Sequence, residues 1–189
     1  MKIKFIKFKT VKSTNDVAIR LIKKENFKPT LVLSENQIKG RGTMGKKWVS
    51  QKGNLFITIF FKINQKKINF RQYAILNAYI LKSIIKKLVP KNITIKWPND
   101  LLYKKQHKIC GILQEVVSFK NYDFLIIGIG LNTNFSPRKK GLKAVSLQSI
   151  ISKKIDNTKI AINIKKQYEI FLDNVEKLSY INIKKRYCK

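Results

Sequence analysis

Lys96-Trp97-Pro98-Asn99-Asp100 closes the apolar run Ile93 to Ile95 with a proline and sets an amide beside a carboxylate. Proline lacks a backbone N–H and restricts the residue before it to extended geometry, so Trp97 is expected to end a strand, with Asn99 and Asp100 at the rim of a sheet. Polar groups at a strand end are a usual place for substrate contacts, although Pro, Asn and Asp are also ordinary turn residues. Upstream, Lys2 to Phe8 alternates lysine with apolar residues and reads as a strand, as do Thr30 to Ser34 and Asn54 to Lys62. The last carries Leu-Phe-Ile-Thr-Ile-Phe-Phe, a strongly β-prone run. Downstream, Leu101 to Tyr103, Lys108 to Val117 and Tyr122 to Leu131 read as three further strands, with Lys104 to His107 as a hairpin turn.

Helices fit between and around these strands. Ser13-Thr14-Asn15-Asp16 offers an N-cap and a first-turn acid for a helix reaching about Lys24. Phe70, Tyr73, Ala74, Asn77, Ile80, Leu81, Ile84, Ile85 and Leu88 fall at helical spacing and predict one long helix packed on the sheet. Ser146 to Ser152 and Lys159 to Lys177 read as helices, and the polar stretch Ser136 to Lys143 as a mobile loop. The pattern is that of an α+β domain with a mixed, mostly antiparallel sheet packed against helices.

With 189 residues, 44% of them hydrophobic, the chain fits one domain with one sizeable core. No apolar run approaches the roughly 18 residues of a membrane span, and the lysine-interrupted start lacks the apolar core of a secretory signal, so a cytoplasmic protein without membrane contact is expected. Two distant cysteines, Cys110 and Cys188, and a single histidine, His107, supply neither a disulfide framework nor a zinc site. The net charge of +31 would suit a basic nucleic-acid-binding module, which is one alternative reading. However, 36 of the 41 basic residues are lysines scattered through every segment, and isoleucine and asparagine are abundant beside them. No basic helix, zinc finger or aromatic RNA-binding motif accompanies the charge, so no specific nucleic-acid partner is expected.

Gly40-Arg41-Gly42-Thr43-Met44-Gly45-Lys46-Lys47 begins like a P-loop, but Lys47 stands where the magnesium-binding hydroxyl belongs, and no helical stripe follows. What remains is a glycine-rich loop with Arg41, Lys46 and Lys47, able to bring backbone N–H groups and cations to an anion, or else simply an exposed loop. Trp48 and Trp97 suit core packing at least as well as stacking on a base.

Taken in order, Ser13-Thr14-Asn15, Glu35-Asn36-Gln37 with Gly40-Arg41-Gly42 and Gly45-x-Lys47-Trp48, the Lys96 to Asp100 segment, Lys108-Ile109-Cys110-Gly111-Ile112-Leu113-x-Glu115 and Gly128-Ile129-Gly130-Leu131-Asn132 resemble the catalytic domain of biotin protein ligases. The resemblance covers roughly residues 9 to 150. It implies the fold shared by biotin ligases and class II aminoacyl-tRNA synthetases. It also implies a two-step reaction in which biotin and ATP with Mg2+ give biotinyl-adenylate, and a lysine of the biotin carboxyl carrier protein of acetyl-CoA carboxylase then takes the biotinyl group. By the same resemblance Ser13, Thr14, Asn15, Gln37, Gly40, Gly42, Thr43, Gly111, Leu113 and Gly128 belong to the biotin site together with Arg41 and Lys108. Lys46, Trp48, Lys96, Asn99, Asp100 and Asn132, with Arg41 and Thr43, belong to the nucleotide site. Arg41, Lys108 and Asp100 carry the chemistry, the cations because a carboxylate attacking a phosphate brings two anions together. No resident metal is implied, the magnesium arriving with ATP, and a homodimer is left open.

Departures from the family pattern are specific. The family loop reads Gly-Arg-Gly-Arg-x-Gly-Arg, and Thr43 and Lys46 replace its second and third arginines. No helix-turn-helix precedes the first strand, and the residues after Lys177 are too few for the C-terminal SH3-like barrel, so a minimal or truncated ligase is expected. A lipoate or octanoate ligase or transferase of the same fold is the nearest alternative, though its histidine-bearing signature is missing.

Overall fold

The computed structural model describes residues 1–138 and 141–188. Its elements are β1 (Lys4–Val11), α1 (Thr14–Lys23), β2 (Thr30–Gln37), β3 (Leu55–Ile63), α2 (Phe70–Lys86), β4 (Ile93–Lys96), β5 (Asp100–Tyr103), β6 (His107–Phe119), β7 (Tyr122–Leu131), α3 (Leu147–Ile151), α4 (Asn157–Lys177) and α5 (Tyr180–Tyr187). The strands form one seven-stranded sheet in the order β1-β2-β3-β7-β6-β5-β4. Only β1 and β2 run parallel, with α1 as their crossover, and every other pair is antiparallel. The sheet is therefore mixed and mostly antiparallel, as the strand pattern predicts.

The period of two along the central strands divides the core. Leu55, Ile57, Ile59 and Phe61 of β3 and Leu125, Ile127, Ile129 and Leu131 of β7 pack with Tyr73, Leu76 and Ile80 of α2, Ile164 and Tyr168 of α4 and Ile183 of α5. On the opposite face Val32, Phe60, Phe124 and Ile126 pack with Val17, Ala18 and Ile22 of α1. One short helix cannot cover a face that seven strands make. The stretch of that face beyond α1 is where the cleft lies.

Several expectations shift in detail. β1 begins and ends later than Lys2 to Phe8, because its register follows β2 from Lys4 opposite Thr30 to Val11 opposite Gln37. β2 likewise runs on to Gln37, and β6 runs on to Phe119 because β7 pairs with it along its whole length. α2 stops at Lys86, two residues short of Leu88, and starts with a reciprocal capping box between Asn69 and Gln72. Ser13 occupies the N-cap position of α1, but its side chain makes no capping bond. The Thr14 N–H that opens the helix bonds instead to Gln37 Oε1 on β2 at 2.8 Å. Trp97, Pro98 and Asn99 form the turn between β4 and β5, with a cis Trp97–Pro98 peptide. After Lys177, Tyr180–Tyr187 form a helix, α5, that the sequence reading misses. Of the loop expected at Ser136 to Lys143, Lys139 and Lys140 lie outside the described residues. Among the described residues no helix is long and apolar enough to cross a membrane.

A polar chain, buried at Tyr168 and Asn77 and open to solvent at its Phe70 end, ties the two layers together. The Tyr168 hydroxyl donates to Asn77 Oδ1 at 3.0 Å, Asn77 Nδ2 to Gln114 Oε1 at 2.7 Å, and Gln114 Nε2 to the Phe70 carbonyl at 2.7 Å. Asn77 and Tyr168 are fully buried, and this burial pushes the Tyr168 phenol far above its ordinary pKa. Tyr168→Phe strands the Asn77 amide oxygen without its donor, which costs about 1–3 kcal/mol. Urea unfolding is expected to show a lower midpoint at unchanged slope, and an unshifted midpoint contradicts the network.

Candidate active site

Cross-strand pairing aligns residues that share a face. Asp100 of β5, Gly111 of β6 and Gly130 of β7 stand opposite one another, and the next row is Leu113, Gly128 and Thr58 of β3. The three glycines are a shelf on which larger side chains lie directly. A Cβ on Gly130 would stand 2.4 Å from Trp48 Cε2, one on Gly111 would stand 2.6 Å from Trp48 Cζ3, and one on Gly128 would stand 2.3 Å from Asn15 Oδ1. The indole of Trp48 and the amide of Asn15 therefore sit where ordinary strand side chains would be, and the ground between them stays open.

The Asn15 end is a buried polar nest. Ser13, Thr14, Asn15 and Thr58 are all at most 3% exposed. Gln37 Oε1 accepts from both the Thr14 N–H and the Thr14 hydroxyl, at 2.8 and 3.0 Å. The Thr58 hydroxyl lies 2.6 Å from Asn15 Oδ1 and 2.8 Å from the Thr14 hydroxyl. Gln37 Nε2 donates to the Ser50 hydroxyl at 3.2 Å. Amides and hydroxyls fixed in this way can offer both donors and acceptors to a neutral polar ring set in an apolar wall.

The loop after Gly40 is ordered by its own hydrogen bonds. Gly42 N–H donates to the Lys46 carbonyl at 2.7 Å and Trp48 N–H to the Gly40 carbonyl at 2.9 Å, while Arg41 bridges to Lys47. Met44 and Gly45 take left-handed φ values of 54° and 71° inside the 3-10 turn Thr43–Gly45, and no helix follows, which completes the contrast with a P-loop. Arg41 reaches back across the loop, placing Nη1 2.9 Å from Asp16 Oδ1 and Nη2 2.6 Å from Glu115 Oε1. Partial burial opposes its charge, but these two carboxylates outweigh that and raise its pKa further.

At the opposite end Lys108 Nζ lies 2.6 Å from Asp100 Oδ1 and 5.2 Å from the centre of the Trp48 ring. The carboxylate contact is an ion pair without hydrogen-bond alignment, since buried Asp100 Oδ1 accepts no aligned donor. The backbone of Lys108 is held firmly. Its carbonyl accepts from Val145 N–H at 3.0 Å and Asn132 Nδ2 at 3.2 Å, and its N–H donates to the Lys143 carbonyl at 2.8 Å. Cys110 points to the other face, and complete burial pushes its thiol up to about 12, so it packs rather than reacts.

These parts line one cleft of about 1080 Å³. Every residue expected in the site lines it except Gly40, whose missing Cβ makes room instead for Ser50 Oγ and the Trp48 carbonyl, so that it shapes the loop from behind. Asn132 reaches the cleft, yet its amide is spent on Lys108. Trp48 lies against the glycine shelf as part of the wall, whereas Trp97 is half exposed and packs on Tyr79 outside the cleft. Thr58, Glu115, Asp16 and Gly130 also build the site and are missing from the sequence expectation. Thr58 had a signal, as the one polar residue in an apolar strand run. Glu115 and Gly130 stood inside recognised motifs without an assigned role, and Asp16 was read only as a helix charge.

The chain belongs to the Biotin/lipoate A/B protein ligase family, whose sequence profile matches residues 7–132. The "Bifunctional ligase/repressor BirA" of Bacillus subtilis is 33% identical over 150 residues, covering 76% of this chain and 46% of that protein. The BirA of Escherichia coli is 32% identical over 108 residues, 57% of this chain and 33% of that protein. The chain thus spans about half or less of the length of these relatives. Among solved structures, biotin protein ligase from Aquifex aeolicus in complex with biotin and ATP superposes with a TM-score of 0.79 at 28% identity, over 97% of this chain and 76% of that one.

The glycine shelf has a direct test. Gly130→Ala places a methyl group inside the Trp48 ring, which must move, at a cost of about 1–3 kcal/mol. The indole then leaves its half-buried seat against the glycines and its fluorescence emission is expected to shift red. An unchanged spectrum in a folded variant would show that Trp48 is not seated on Gly130.

Proposed function

We propose that this chain activates biotin with ATP and passes it to a lysine of a biotin carboxyl carrier protein. The observation that carries the reading is that a neutral polar nest, with Arg41 held beside it through Asp16 and Glu115, shares one face of the sheet with Lys108 at the Asp100 end, and glycines lie between the nest and Lys108. A carboxylic acid with a polar head needs that order of groups: the head in the nest of Ser13, Thr14, Asn15 and Gln37, the chain across Gly111, Gly128 and Leu113, the carboxylate toward Arg41 and Lys108. Support for biotin comes from relatives that carry biotin-ligase names and from the complex of the Aquifex aeolicus protein with biotin and ATP.

In the first step a carboxylate oxygen attacks the α-phosphate of ATP, the bond to the β-phosphate oxygen breaks, and pyrophosphate leaves. Two anions meet, so donors placed on the developing charge lower the barrier. Arg41 and Lys108 supply them. Lys46, Lys96, Asn99 and Thr43 belong to the nucleotide end, and Asn132 positions Lys108 through its carbonyl. The residues lining the cleft include one carboxylate, Asp100, already paired with Lys108, which fits magnesium entering with the phosphates rather than residing in a protein cage. In the second step the acceptor amine attacks the acyl carbon and AMP leaves, with Asp100 placed to orient that amine or take its proton.

Release of pyrophosphate with ATP and either biotin or lipoate separates the two acids of the family. Release with biotin alone is expected, and release with lipoate alone overturns the proposal. Lys108→Ala is expected to slow adenylate formation about a hundredfold, the loss of one charge-assisted bond to a developing anion. A wild-type rate in that variant removes Lys108 from the mechanism. Thr43 is exposed beside Lys46 in the loop and offers one neutral hydroxyl where the family pattern has arginine. Thr43→Arg is expected to slow release of the adenylate roughly tenfold, the difference between a charged and a neutral hydrogen bond. Rapid filtration after a single turnover measures this, and equal release rates exclude position 43 from the grip on the intermediate.

A further inference from the structure

Glu115 is half-buried on β6, one row beyond Leu113 and Gly128, and each of its oxygens has a different partner. Oε1 lies 2.6 Å from Arg41 Nη2 in the glycine-rich loop, and Oε2 accepts from Asn15 Nδ2 in the first turn of α1 at 2.7 Å. Arg41 Nη1 is held in turn by Asp16, the residue after Asn15, at 2.9 Å. The result is a closed ring, Asn15 to Glu115 to Arg41 to Asp16 and back along the chain. It joins three elements that are far apart in sequence.

We propose that Glu115 is a positioning residue that fixes the distance between the head-group nest and the loop cation. The proposal rests on the reading of the cleft given above, in which Asn15 faces the head of the acid and Arg41 its carboxylate. Two carboxylates already counter the charge of Arg41, so Arg41 contributes placed donors more than net field. A guanidinium has five N–H groups, and two of them are used by the ring. The remaining three serve a ligand only if the ring holds the group still. An amide of the same shape cannot supply this brace: a carboxylate accepts at both oxygens, whereas an amide accepts at one end and donates at the other. Glu115→Gln therefore turns one of the two arms into a clash of donors.

The brace is read first without any substrate. Hydrogen-exchange mass spectrometry on the whole chain follows the amides of Gly42 and Trp48, both hydrogen-bonded within the loop. In Glu115→Gln these are expected to exchange about tenfold faster, the loss of a charge-assisted bond, while the amides of β3 and β7 keep their protection. Unchanged protection at Gly42 and Trp48 overturns the proposal. Should Glu115→Gln fail to fold, Arg41→Gln breaks the same bond from the exposed side, and it must show the same loss of protection. The second readout is biotin-dependent exchange of pyrophosphate into ATP. Glu115→Gln is expected to lower it about tenfold in the wild-type background but less than twofold in an Arg41→Lys background, because the residue acts through Arg41. Equal losses in both backgrounds overturn the positioning role. A wild-type chain that exchanges pyrophosphate with neither biotin nor lipoate overturns the functional reading instead, and the hydrogen-exchange contrast then decides the brace alone.

Discussion

Gly111, Gly128 and Gly130 leave one face of the sheet bare on two neighbouring strands, and the site exists because other side chains use that space. An indole and an amide occupy the volume that three strand side chains would otherwise fill, at separations of 2.3 to 2.6 Å from where a Cβ would be. No adjustment of a few tenths of an ångström relieves such contacts in a close-packed interior. Glycine weakens a strand, so the stability of β6 and β7 must come from elsewhere. It comes from the opposite face, where Cys110 and Ile112 of β6 and Ile127, Ile129 and Leu131 of β7 are buried against the helices. The alternation along each strand thus assigns stability to one side and recognition to the other.

The electrostatics of the cleft divide in a similar way. Arg41 and Lys108, the cations nearest the proposed chemistry, are each held by carboxylates of the chain itself, with Asp16 and Glu115 on one and Asp100 on the other. Their value is geometric: a cation that is already paired can be placed without flooding the site with field. Lys46, Lys47, Lys96, Lys105 and Lys143 also line the cleft and form no ion pair among the described residues. These exposed ammonium groups give the cleft mouth a positive field, which suits the anionic nucleotide of the proposed reaction, and salt screens them more strongly than the inner pairs. The charge of +31 is therefore two different things, a dispersed attraction at the surface and a few fixed donors within.

Much of this could be read from the chain, and the gaps have physical causes. The strands were legible because Leu55 to Phe61 and Tyr122 to Leu131 are too apolar to be anything but central, and the long helix because Tyr73, Asn77, Ile80, Leu81 and Ile84 keep to one side. α5 was not legible. It buries Ile183 and half-buries Tyr187 while carrying lysines and arginine around the rest, so its apolar stripe is too thin to stand out from a tail. The expected residues that line the cleft were found through motifs, whose polar and glycine positions fall on its walls. Those that hold the liners in place were missed for the complementary reason: Thr58 and Glu115 act on other side chains, and such contacts span 43, 74 and 100 residues of sequence. Spacing along a chain carries no trace of them.

The two halves of β6 explain how a shelf of glycines remains rigid. Gln114 and Glu115 are consecutive and so point to opposite faces. Gln114 joins the buried chain of Asn77 and Tyr168 behind the sheet, and Glu115 joins Asn15 and Arg41 in front of it. A strand tied on both faces at adjacent residues cannot slide or roll without breaking one of the ties, and a buried tie leaves an unsatisfied polar group when it breaks. Farther along, Lys108 is fixed through its own backbone by Asn132, Lys143 and Val145. Between these two anchors lie Gly111 and Leu113, the floor of the cleft. β6 is thus held on both sides of Gly111, at Lys108 and at Gln114–Glu115, and the floor keeps its place while the loop above it carries Arg41.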